Sequence, residues 1–111
     1  MGLLRRIPEV DPLGARERLA SGAVALDVRE DGEWAAGRIA GALHIPMGEL
    51  AARQAELPAR PIVAVCRSGS RSAAVVEALV RAGYEAENLA GGMKAWKAAG
   101  LPLEPPDGLV A

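Results

Sequence analysis

The sequence predicts an α/β fold built on a parallel sheet. Short apolar runs alternate with helix-like stretches, the pattern that βαβ units require. The strongest run, residues 61–65, is apolar at consecutive positions, which marks a strand covered on both faces. The chain has 111 residues, 50% of them apolar, enough for one domain with its own core. No charge run, low-complexity tract or repeat divides it, so residues 1–111 are expected to form a single domain.

Asp11-Pro12 opens the first helix, with a capping side chain followed by proline at the first helical position. Leu13, Arg16 and Leu19 carry it to a stop at Ser21-Gly22. Residues 24–28 form a buried strand, residues 32–36 a short helix, and a loop follows with Gly37 and Gly41. Residues 42–45 make a second short strand ended by Pro46. Residues 49–56 are expected to be a helix closed by Leu57-Pro58. After the strand at 61–65, the polar segment 66–72 interrupts the apolar pattern. A largely apolar helix spans 73–82 and stops at Gly83. Residues 85–89 give a further strand, Gly91-Gly92 a turn, and 93–99 a last helix before Gly100. From about Pro102 the tail, with Pro105-Pro106 and Gly108, is expected to be extended and partly mobile.

Composition removes several classes of function. A net charge of −1 and a pI of about 5.8 leave no overall basic footprint for nucleic acid. No run is long enough to cross a bilayer. The opening Met1-to-Pro8 stretch is too short for a signal-peptide core, and Arg6 stands where a myristoylation motif needs Ser or Thr. A cytoplasmic protein without a membrane partner is therefore expected. One cysteine forbids an internal disulfide. A lone cysteine cannot build a thiolate zinc site, and with a single histidine a mixed site would need carboxylates, so no metal and no cofactor is expected. Gln54 and Asn88 are the only side-chain amides, a scarcity that is one hyperthermophile tendency.

A lone cysteine is by default a small buried hydrophobe. The surroundings of Cys66 argue otherwise. Cys66-Arg67-Ser68-Gly69-Ser70-Arg71-Ser72 joins a buried strand to a helix. A helix N-terminus offers free N–H groups and a positive dipole end. Gly69 and the small serines let the backbone curl into an anion-binding nest, and Arg67 and Arg71 add two positive charges. A thiol there should be more acidic than usual. At a pKa near 8.5 about 3% is thiolate at neutral pH, whereas near 6.5 about three-quarters is. The thiolate is the nucleophile, so Cys66 is the candidate catalytic residue.

Four blocks in order carry a resemblance to the rhodanese-like family, of the single-domain thiosulfate sulfurtransferase type. They are Leu26-Asp27-Val28-Arg29-Glu30 with Glu33-Trp34, Gly37-Arg38-Ile39-Ala40-Gly41-Ala42 with His44-Ile45-Pro46, the loop 66–72, and Leu89-Ala90-Gly91-Gly92-Met93 with Ala95-Trp96. The resemblance covers nearly the whole chain. It implies a three-layer α/β/α sandwich around a five-stranded parallel sheet. It implies that Cys66 takes a sulfane sulfur from a small donor such as thiosulfate and passes it to cyanide or a thiol, a thioredoxin-like protein being one form of that acceptor. The backbone N–H groups of Arg67, Ser68, Gly69, Ser70, Arg71 and Ser72 would then hold the persulfide.

Protein-tyrosine-type phosphatases, including rhodanese-like cell-cycle phosphatases, use Cys-x5-Arg. Here Cys66 and Arg71 enclose four residues, a smaller ring that suits one terminal sulfur better than a phosphoryl group. Val65 stands where those phosphatases carry histidine. Arg71 is expected to point into the loop and hold its shape, and Arg67 to face the mouth and attract an anionic donor. His44 is expected to be packed and hydrogen-bonded rather than catalytic, and Trp34 and Trp96 to be packing residues. Asp27 and Arg29 lie at the C-terminal end of a strand, the edge where α/β sites gather. The resemblance implies that Asp27 orders that face; a plain surface pair is the alternative. A non-catalytic interaction module and a sulfur carrier loaded by a partner protein are the competing functions, and an intact Cys66 with Arg71 favours the enzyme.

Overall fold

Five parallel strands and four α-helices organise the described part of the chain, residues 7–111 of a computed structural model. The expectations drawn from Met1 to Arg6 lie outside those residues. In chain order the elements are β1 (Glu9–Val10), α1 (Pro12–Ala20), β2 (Val24–Asp27), α2 (Asp31–Ala36), β3 (Leu43–His44), β4 (Ile62–Val65), α3 (Ser70–Arg81), β5 (Ala86–Leu89) and α4 (Gly92–Ala98). The sheet runs β1-β5-β4-β2-β3, and each pairing is parallel. Asp11 caps α1 as expected, its carboxylate accepting from Gly14 N at 2.8 Å.

Strand alternation sorts the core into two layers. Ile62, Ala64 and Cys66 face α3 with Leu26, Val28, Val75, Val76 and Leu79. Val63 and Val65 face the other way, with Ala25, Leu89 and residues of α1 and α4 such as Ala15, Met93 and Trp96. Helices thus cover both faces of the sheet, and β4 is buried throughout.

Three expectations need correction. The strand Glu9–Val10 was not anticipated; it is two residues long at the sheet edge, too short to show a period. Residues 49–56 do not form a helix. Two 3-10 turns, Met47–Glu49 and Gln54–Glu56, replace it. A short helix is held mainly by its packed face, and between Pro46 and Pro58 only Leu50 and Leu57 pack on the core. The helix expected from residue 73 begins at Ser70, so much of the polar segment is its first turn.

The tail turns at Pro105, where Gly108 N donates to Pro105 O at 2.8 Å, and it is tied down. Arg38 and Glu104 exchange backbone hydrogen bonds of 3.0 and 2.7 Å, and Leu109 N donates to Ala36 O at 2.9 Å. Leu103 and Val110 pack against the core.

Candidate active site

In this strand order the connection from β4 runs through α3 to β5, whereas that from β2 runs to β3 on the sheet's other side. Adjacent strands whose chains depart in opposite directions leave a crevice at their C-terminal ends. Asp27 and Val65 are partners in register there, and Cys66 is the next residue.

Cys66 is 1% exposed. The chain turns through Arg67 and Ser68 to Gly69, whose φ of 106° is left-handed and suits glycine. That turn aims Gly69 N at Cys66 Sγ, 3.1 Å away, and Ser72 Oγ lies 3.3 Å from the same sulfur. Burial pushes the thiol up. The Ser72 hydroxyl and the backbone N–H groups of Ser72, Gly69 and Ser68 outweigh it and hold the thiol below its ordinary value. The acid-strengthening groups are therefore the Ser72 hydroxyl, which the sequence did not single out, and N–H groups of the loop and the first turn of α3.

Both arginines have partners that the sequence did not name. Arg71 pairs bidentately with Glu33 of α2, Nη1 to Oε1 at 2.9 Å and Nη2 to Oε2 at 2.8 Å. A guanidinium on the first turn of a helix opposes the helix dipole, and a carboxylate across the loop relieves that conflict. Glu33 Oε1 also accepts from Glu30 N at 3.0 Å, fixing the pair to the start of α2. Arg67 is exposed, and its Nε donates to Ala111 O at 2.9 Å, so the tail reaches the residue expected to meet the donor.

Asp27 and Arg29 are not a surface pair. Both are buried, at 1% and 0% exposure, with Arg29 Nη2 2.7 Å from Asp27 Oδ2. Arg29 also donates to Gly37 O at 2.8 Å, joining the crevice floor to the loop after α2. His44 is packed and hydrogen-bonded as expected: its ring stacks on Trp34 at 4.5 Å, and Nε2 lies 2.8 Å from Arg29 O. Gly92 approaches so closely that a Cβ would lie 2.5 Å from Cys66 O. The backbone N–H groups of Met93 and Lys94 donate to the carbonyls of Cys66 and Arg67 at 2.9 and 3.0 Å. The Gly91-Gly92 turn therefore clamps the loop 66–72 from outside.

Comparison with known proteins agrees with this geometry. A family model for the rhodanese-like domain matches residues 12–99. The chain belongs to the rhodanese-like domain family. A sulfurtransferase of Allochromatium vinosum is 38% identical over 92% of this chain and 99% of its own length. The thiosulfate sulfurtransferase GlpE of Pseudomonas fluorescens is 34% identical over 87% of this chain and 88% of its own. A rhodanese-related protein of Thermoplasma volcanium superposes with a TM-score of 0.82 at 31% identity, covering 86% of this chain and 96% of that one. The five-stranded parallel sheet and its flanking helices are thus those of a rhodanese-like domain.

Two residues of this rhodanese-like site were not read as site residues in the sequence. Glu33 was read only as part of a block. Asn88 stands on β5, 2% exposed, and its side chain reaches both Gly69 and Ser72. An amide in a buried strand, in a chain with only one other, was the available signal. Among the described residues no cluster of His, Cys, Asp and Glu could hold a metal ion, and no helix is long and apolar enough to cross a membrane.

Proposed function

We propose that this chain is a sulfurtransferase that carries sulfane sulfur as a persulfide on Cys66, with thiosulfate or a similar small anion as donor. The observation that carries the reading is the buried sulfur of Cys66, which accepts from Gly69 N at 3.1 Å and lies 3.3 Å from Ser72 Oγ. The Cys66 thiolate attacks the outer sulfur of thiosulfate. The new S–S bond forms as the old one breaks, and sulfite leaves with the bonding pair. The negative charge now rests on the terminal sulfur, where preorganised N–H donors stabilise it without reorganising. Cyanide or an acceptor thiol, a thioredoxin-like protein being one source, then attacks that sulfur and Cys66 leaves as thiolate. This chemistry belongs in the cytoplasm, where reducing conditions keep a lone thiol free.

The test is intact mass. Protein incubated with thiosulfate should gain one sulfur atom on Cys66, and cyanide should then release thiocyanate and restore the mass. Equal transfer by Cys66→Ser would defeat the assignment. The short ring from Cys66 to Arg71 also predicts no aryl phosphate turnover above background. Robust phosphatase activity lost in Cys66→Ser would replace this reading with a phosphatase.

A further inference from the structure

Asn88 belongs to neither the loop nor a helix, yet it holds two of the groups around the nucleophile. Its Nδ2 donates to Gly69 O at 3.0 Å, and its Oδ1 lies 2.5 Å from Ser72 Oγ. The orientation is forced. A carbonyl oxygen only accepts, so Nδ2 must face Gly69 O, which leaves Oδ1 to Ser72. Oδ1 also only accepts, so the single hydroxyl proton of Ser72 is directed at Asn88. Ser72 Oγ then presents a lone pair toward Cys66 Sγ, 3.3 Å away. In that arrangement the neutral thiol donates to Ser72. To stabilise a thiolate, Ser72 must turn its proton onto the sulfur and give up the shorter bond to Asn88.

We propose that Asn88 is a positioning residue that sets the acidity of Cys66 by competing with its sulfur for the Ser72 proton. The hydroxyl is thereby a two-position switch, toward Asn88 with the thiol and toward Cys66 with the thiolate. The competition keeps the resting cysteine less acidic than Ser72 and the N–H groups would make it without Asn88. The Gly69 carbonyl, held by Asn88 and by Ala73 N at 3.1 Å, keeps the adjoining peptide aimed at the sulfur in both states. The inference rests on Cys66 being the nucleophile. It is tested by alkylation, so that its failure is separable from failure of sulfur transfer.

The pH dependence of iodoacetamide alkylation reports the thiol directly. Asn88→Leu removes the competing acceptor, and the midpoint should fall by about one pH unit, the size one hydrogen bond to the charged form brings. In a Ser72→Ala background the same substitution should not lower the midpoint, because the proton in dispute is gone. An unchanged or raised midpoint in Asn88→Leu overturns the proposal. So does an equal fall in the Ser72→Ala background, which would assign the effect to the lost Gly69 bond. Should Asn88→Leu not fold, Asn88→Asp keeps the test, since it retains an acceptor toward Ser72. Its midpoint should stay or rise, and a fall overturns the proposal.

Discussion

At Cys66 burial and hydrogen bonding oppose each other, and the Ser72 hydroxyl with a few N–H groups decides the outcome. Gly69 supplies one of them through a backbone conformation that L side chains resist. A Cβ added at Gly69 meets its nearest neighbour at 3.4 Å, an ordinary contact, so substitution costs backbone strain and not space. Gly69→Ala should therefore rotate the peptide and draw its N–H away from the sulfur. Alkylation at neutral pH should slow by about threefold to tenfold, with the midpoint moving up. An unchanged rate would mean that Gly69 N does not help ionise the thiol. At this scale the sequence was informative about Cys66, because strand, polar loop and helix are contiguous in the chain. The partners of Arg67 and Arg71 were not legible. Glu33 and Ala111 are distant in sequence, and no local pattern says which carboxylate or carbonyl an arginine will meet.

The elements follow local rules where local rules are strong. Asp11-Pro12 and the apolar run at 61–65 gave α1 and β4 because a capping side chain and burial on both faces leave local marks in the sequence. The segment 49–56 and the strand Glu9–Val10 were misjudged because packing, not propensity, settles them. Contacts between elements hold the site together, and the pair of α2 with α3 through Glu33 and Arg71 can be tested by pH. The hydrogen bonds from Arg71 hold the Glu33 carboxyl at about 2, below its ordinary 4.5. A carboxyl depressed by folding contributes stability in full above its unfolded value. That contribution is lost as pH falls from about 4.5 toward about 2. Both side chains are partly solvent-exposed, so screening limits the pair to about 1 kcal/mol. Glu33→Gln should be less stable in urea by that amount at neutral pH, and the gap should close across the acid interval. A gap independent of pH would show that Glu33 contributes through packing and the Glu30 hydrogen bond instead.

Across the whole molecule the tail links regions that the sheet keeps apart. It leaves α4 where Trp96 Nε1 donates to Pro102 O at 2.8 Å, crosses the loop after α2, and ends at Arg67. Gly37 is where that path is narrowest, since a Cβ there would lie 2.5 Å from Leu109 O and 2.9 Å from Leu109 N. Its φ of 174° is extended backbone that any residue adopts, so alanine is excluded only by the tail. Gly37→Ala in the full chain should cost about 1–3 kcal/mol of stability, the usual penalty of overpacking. In a chain shortened to end at Pro102 the same substitution should be neutral or slightly stabilising, because the clash is gone and alanine restricts the unfolded chain. Either change also frees the Arg67 guanidinium from Ala111. If Arg67 steers an anionic donor, the KM for thiosulfate should fall in both variants, and more so at low salt. Thermal melts of the four proteins in this cycle settle the structural half. An equal penalty in the full and shortened chains would show that Gly37 is needed for something other than passage of the tail, with the Arg29 bond to its carbonyl as the nearest candidate.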